Sequence, residues 1–120
     1  MSALPDYTAL VHEISANLSP LRKELSPVMK AFGELGKAAT AAGALDEKTK
    51  ELIALAIGVV ARCDGCIGFH VRTLLRLGMS RAELEETLGM AVYMGGGPSL
   101  MYAANAMAAY EQFSAAAAAT

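Results

Sequence analysis

Apolar residues recur along this chain three or four positions apart, as on a helix face, and nowhere alternate with polar ones as a half-buried strand requires. Between Tyr7 and Leu18 the apolar positions Leu10, Val11, Ile14 and Leu18 share one face, and Pro20 closes that helix or opens a short turn. Ser26-Pro27 reads as an N-cap followed by proline at the first helical position. The helix it starts presents Val28, Ala31, Phe32 and Leu35, with Gly43 as its stop. Asp46 is the expected N-cap of the next helix, whose inward face reads as Leu52, Ile53, Ala56, Val59 and Val60. The pattern lapses from Arg62 to Gly65 and resumes through Cys66, Phe69, Leu74, Leu75 and Leu77 until Gly78. Ser80 and Glu83 have the spacing of a capping box. Gly95-Gly96-Gly97-Pro98 is a sharp break, with Pro98 suited to the first turn of a last helix. The pattern predicts an all-α fold: a single-domain bundle of five or six helices over residues 1–120, with residues 115–120 a fraying alanine-rich tail.

From Thr87 to Tyr110 no residue is charged. The glycines and Pro98 cut this stretch into two arms, each too short to cross about 30 Å of hydrocarbon, so a helix hairpin is expected and no membrane span. A chain of 120 residues has little interior in which to hide so much apolar helix. Part of the hairpin is therefore expected against another subunit, in a homo-oligomer built through apolar helices. Hydrophobic residues make up 54% of the chain and charged ones 18%, which excludes a disordered segment. A net charge of −2 with scattered basic residues offers no face for nucleic acid and no polybasic patch for a membrane. Met1 to Asp6 has no basic stretch leading into an apolar run, so the expectation is no signal peptide and a cytoplasmic setting. In a reducing compartment a permanent structural disulfide is not expected.

Candidate chemistry concentrates in Cys63-Asp64-Gly65-Cys66-Ile67-Gly68-Phe69-His70. On a helix, His70 falls one turn beyond Cys66 on nearly the same face. Cys63 falls near the N-cap, so both sulfurs sit at the positive end of the helix dipole, where a thiolate is stabilised. The imidazole can take a thiol proton, or as imidazolium hold the thiolate, and two cysteines so spaced can close and reopen a disulfide. The dipole favours Cys63 as the activated thiol and contact with a base favours Cys66; the second effect is the larger. Competing readings are weaker. Haem attachment needs histidine directly after the second cysteine, where Ile67 stands. Structural zinc needs four ligands; Cys63, Cys66 and His70 supply three, Glu51 or His12 could complete the set, and no second paired-ligand motif exists. Inert buried cysteines fit poorly with Asp64 and Gly65 between them, and a thioredoxin fold needs strands. His12 reads as a surface or packing residue, and no GK[ST] follows the glycine run, so it is no phosphate loop. Met90, Met94, Met101 and Met107 read as fillers of core or interface gaps, and Tyr93 and Tyr102 as interface residues beside the glycine turn.

Glu51, eleven residues, Cys63, two residues, Cys66, three residues, His70 resembles the motif of the alkyl hydroperoxidase D-like proteins, within the carboxymuconolactone decarboxylase superfamily. Leu75-Arg76-Leu77-Gly78 and the Met94 to Pro98 turn are similar to that family as well. The resemblance covers residues 45–110 as the core and leaves residues 1–25 as a variable N-terminal segment. It implies an all-α fold assembling as trimers or hexamers, and a thiol-dependent peroxidase or disulfide reductase with an antioxidant role. Its substrate would be a small hydroperoxide and its reductant an unidentified dithiol or protein; no cofactor and no metal are implied. By the same resemblance Cys66 is oxidised, Cys63 resolves and meets the reductant, and Glu51 and His70 relay protons. Helix spacing alone does not place Glu51, which lies about 18 Å of helical rise before Cys63. Founding members carry a further relay histidine between the cysteines, where this chain has Gly65. The alternatives are a carboxymuconolactone decarboxylase-type enzyme on the same helices, or a helical metal- or partner-binding module.

Overall fold

In the computed structural model, which describes residues 2–119, the chain forms α1 (Tyr7–Glu24), α2 (Ser26–Thr40), α3 (Glu47–Val60), α4 (Asp64–Arg76), α5 (Arg81–Gly95) and α6 (Gly97–Ala118), with no strand among the described residues. Among the described residues, three of the six helices start where a side-chain oxygen caps them. Asp6 accepts from the Ala9 amide at 3.1 Å, and Asp46 from the Thr49 amide at 2.7 Å. Ser80 and Glu83 make the full reciprocal capping box, at 3.1 and 2.8 Å. The break after α5 uses Gly96 at φ 73°, a conformation that disfavours any residue with a Cβ.

Three expectations are corrected. First, α1 does not stop at Pro20; it runs on to Glu24. The proline removes only the bond to the carbonyl of Ala16, and both residues are exposed, so water satisfies that oxygen. Second, α2 begins at Ser26 itself, capped by Leu25 without a side-chain bond, and ends at Thr40 before Gly43 is reached. Third, the inward face of α3 is Glu51, Leu55, Gly58 and Val59, while Ile53 and Val60 are exposed. From Leu52 to Val60 this helix is apolar on every side, so the pattern there does not choose which side turns inward. The alanine-rich tail is helical through Ala118, where extending an existing helix needs no new nucleation; Thr120 lies outside the described residues.

The core gathers Leu55 and Val59 of α3, Ile67 and Val71 of α4, Leu84 of α5 and Ala106 of α6. α6 packs along α1, α3, α4 and α5. Its buried residues include Ala103, Ala106 and Ala109, small enough to let neighbouring helices close in. The uncharged hairpin of α5 and α6 is two-sided, with Leu88, Ala91 and Ala103 inward and Met90, Tyr93, Met94 and Met101 in the open. α2 has no buried residue at all, and Phe32 is 71% exposed. No helix among the described residues is long and apolar enough to cross a membrane.

Candidate active site

The turn from α3 to α4 builds the sulfur site. Arg62 takes the left-handed conformation at φ 58°, and the Cys63 amide then donates back to the Gly58 carbonyl at 3.0 Å. This leaves Cys63 extended, as the N-cap of α4, with its Sγ accepting the Cys66 amide at 3.1 Å. A disulfide joins Cys63 and Cys66, whose Cα atoms are 5.2 Å apart. Both residues are partly exposed, at the positive end of the α4 dipole. Gly58 lets α3 lie against them: a Cβ there would stand 3.1 Å from the Cys66 Cβ.

The structure brings Glu51 and His70 together. His70 Nδ1 lies 2.5 Å from Glu51 Oε2, an ion pair when the ring is protonated. Glu51 is buried, only 7% exposed, so its carboxylate depends on this partner; the His70 side chain is one-third exposed. The carboxylate can only accept, so Nδ1–H donates to it and the proton-free ring nitrogen of the neutral tautomer is Nε2. His70 stands one helical turn beyond Cys66, and no hydrogen bond joins it to either sulfur among the described residues in this bridged form. Three of the four expected site residues thus lie on α4 or its cap, and the fourth reaches them from α3.

A second polar group was not foreseen from sequence. Asp64, inside the cysteine motif, accepts through Oδ1 from the Tyr7 hydroxyl at 2.5 Å and from Asn105 Nδ2 at 3.1 Å. Tyr7 is fully buried, and burial, followed by the hydrogen bond and charge of Asp64, pushes its phenol well above the ordinary tyrosine range. α1 reaches this close because α4 offers glycines: a Cβ on Gly68 would stand 2.7 Å from Val11 Cγ1, and one on Gly65 3.0 Å from Ile14 Cδ1. The position of the missing relay histidine is thus roofed by Ile14. The available signal was Tyr7 itself, an aromatic residue with a polar tip at the start of a helix face otherwise made of aliphatics.

His12 is exposed on α1. Among the described residues no three His, Cys, Asp or Glu side chains converge as metal ligands. An apolar groove of about 380 Å³ runs between α3 and α5, lined by Ala56, Ile57, Val60, Met90 and Met94.

Comparison with known proteins agrees with the fold. The model of the carboxymuconolactone decarboxylase family matches residues 26–119, starting well before residue 45 and taking in α2 while leaving out α1. An uncharacterized protein of Cupriavidus necator is 38% identical over 110 residues, covering 92% of this chain and 97% of that protein. A carboxymuconolactone decarboxylase family protein of Legionella pneumophila, solved in its apo form, is 56% identical with a TM-score of 0.88, covering 90% of this chain and 96% of that one. A family protein of Thermotoga maritima with a possible involvement in antioxidative response is 32% identical with a TM-score of 0.66, covering 80% of this chain and 88% of that one. The chain belongs to the carboxymuconolactone decarboxylase family.

Proposed function

We propose that the protein is a thiol-dependent oxidoreductase that reduces a small hydroperoxide or a disulfide, with electrons from a dithiol or a protein thiol. The observation that carries this reading is the Glu51–His70 pair, its carboxylate buried, on the two helices that meet at the Cys63–Cys66 disulfide. In the peroxidase cycle the Cys66 thiolate attacks one oxygen of the hydroperoxide. The O–O bond breaks, Cys66 becomes a sulfenic acid, and the alkoxide leaves as the alcohol after taking a proton from the His70 side of the site. Cys63 then attacks the Cys66 sulfur, forming the disulfide and releasing the hydroxyl as water. An external dithiol opens the bridge by exchange and is itself oxidised to a disulfide, which returns both cysteines as thiols. Glu51 holds the ring tautomer and steadies the imidazolium. A decarboxylase reading on the same helices leaves the cysteine pair without a task.

Turnover of an alkyl hydroperoxide with dithiothreitol tests the proposal. The unmutated protein is expected to consume peroxide catalytically and Cys66→Ser to consume almost none. Equal rates in the two would overturn it.

The same reading includes a homo-oligomer, a trimer or hexamer by family resemblance. The accessible surface of the chain is 7513 Å², against about 6,200 Å² for a compact monomer of its mass. The excess goes with the apolar stripe of α2 and the outer face of the α5–α6 hairpin, both uncovered within one chain.

A further inference from the structure

The catalytic steps above give Asp64 no task, yet it is the most heavily anchored side chain in the cysteine motif. Its Oδ1 takes one hydrogen bond from α1, through the Tyr7 hydroxyl at 2.5 Å, and one from α6, through Asn105 Nδ2 at 3.1 Å. The anchor on α1 is itself fixed. The Tyr7 amide donates to Gln112 Oε1 at 2.6 Å, and Gln112 Nε2 donates to the Pro5 carbonyl at 2.9 Å. Tyr7 is fully buried, so its hydroxyl needs a partner, and that partner is a carboxylate lying between the two cysteines in sequence.

We infer that Asp64 is a positioning residue that sets the reduction potential of the Cys63–Cys66 pair, with Tyr7 and Asn105 holding its charge in check. The inference deepens the thiol-redox reading and rests on it. Asp64 follows Cys63 directly and precedes Cys66 by two positions in the first turn of α4, so its charge sits at the same helix end as both sulfurs, on another face of the helix. Reduction of the bridge takes up two electrons and two protons, and the product is stabilised further whenever one thiol ionises. A negative carboxylate at that helix end opposes that ionisation, whereas the N-terminal dipole of α4 favours it. The pair is thereby made more reducing than the dipole alone would leave it. The two donors aim positive dipole ends at the same oxygen and so reduce the field it exerts on the sulfurs.

The other titratable or charged groups around this turn are Arg62 before Cys63, Glu51 on α3, His70 on α4 and Tyr102 on α6. None of them changes in the variants below. Asp64→Asn keeps an acceptor oxygen for both donors and removes only the charge. Tyr7→Phe keeps the ring and removes one donor, leaving the charge barer. A purely structural role for the cluster moves both variants the same way, through loosened packing. An electrostatic role moves them in opposite directions.

The experiment equilibrates each protein with mixtures of reduced and oxidised dithiothreitol and reads the dithiol fraction by alkylation. Asp64→Asn is expected to shift the equilibrium about tenfold toward the protein dithiol, which is about 30 mV less negative for a two-electron couple. Tyr7→Phe is expected to shift it toward the disulfide. Should Tyr7→Phe fail to fold, Asn105→Ala removes the other donor and carries the same expected sign. Shifts of the same sign in Asp64→Asn and the donor variant, or no shift in Asp64→Asn, overturn the inference while leaving the redox reading intact. An unmutated protein whose cysteines do not exchange reversibly with the dithiol overturns that reading, and the inference with it.

Discussion

Replacing Glu51 with glutamine removes one charge from a nearly buried position and alters almost nothing in volume. The amide oxygen of the new side chain could still accept from His70 Nδ1–H, so the geometry that places the ring 2.5 Å from residue 51 is kept in a neutral form. What is lost is the extra strength of a hydrogen bond to a charged partner, about 1.5–3 kcal/mol against about 1 kcal/mol for a neutral one. In the proposed cycle His70 becomes an imidazolium as it takes a thiol proton, and the carboxylate steadies that state specifically. A loss of about 0.5–2 kcal/mol at that point is about 2- to 30-fold in rate. The assay is steady-state hydroperoxide reduction driven by dithiothreitol, with helical circular dichroism and a melting curve to confirm the fold. kcat/KM is expected to fall by that factor in Glu51→Gln, and stability by no more than about 1–3 kcal/mol, since the amide brings N–H donors into a buried position that held only acceptors. A rate within twofold of the unmutated protein, with the fold intact, would show that the pair braces α3 against α4 and takes no part in proton transfer.

Four further outcomes are expected. Gly68→Ala gains about 1 kcal/mol of helix propensity but places a Cβ 2.7 Å from Val11 Cγ1; overpacking of about 1–3 kcal/mol wins, so the melting temperature falls. By contrast Gly89→Ala, with no atom within 4 Å of the added carbon, raises it. Tyr7 stays protonated in the folded protein where the unfolded chain ionises, because burial and Asp64 push its pKa up. Its contribution is therefore complete below about pH 10 and is lost as pH rises beyond that. Thermal melts at a series of alkaline pH values should fall more steeply for the unmutated protein than for Tyr7→Phe. Finally, light scattering at micromolar concentration should return a mass several times that of one chain, and Phe32→Asp, on the uncovered stripe of α2, should lower it; a clean monomer mass in the unmutated protein would contradict the assembly.

The fold was legible wherever a local signal decided it. The caps at Asp46 and Ser80 and the break at Gly96 are read directly from side chains that satisfy backbone groups or permit a positive φ. The facing of α3 was not legible, since a helix apolar on all sides from Leu52 to Val60 offers several equivalent inward stripes and only the partners choose among them. The site divides along the same line. His70 one turn from Cys66 follows from helical spacing, but Glu51, measured along the chain, stands far from Cys63. The Arg62 turn makes α4 double back on α3, so residues similarly distant from the turn on either side come level, and Glu51 meets His70. Tyr7 and Asn105 were out of reach of any local argument. They converge on Asp64 from the first and last helices, across 57 and 41 positions of sequence.

The central claim is that Cys66 is the sulfur that meets the peroxide, and a trapping experiment tests it most directly. The protein is reduced, exposed briefly to one equivalent of hydroperoxide with a sulfenic-acid trap present, and digested for mass spectrometry. In Cys63→Ser, where nothing resolves the intermediate, the adduct is expected on Cys66 after consumption of about one equivalent of peroxide. An adduct found mainly on Cys63 in the unmutated protein, with Cys66 unmodified, would reverse the two roles and contradict the account.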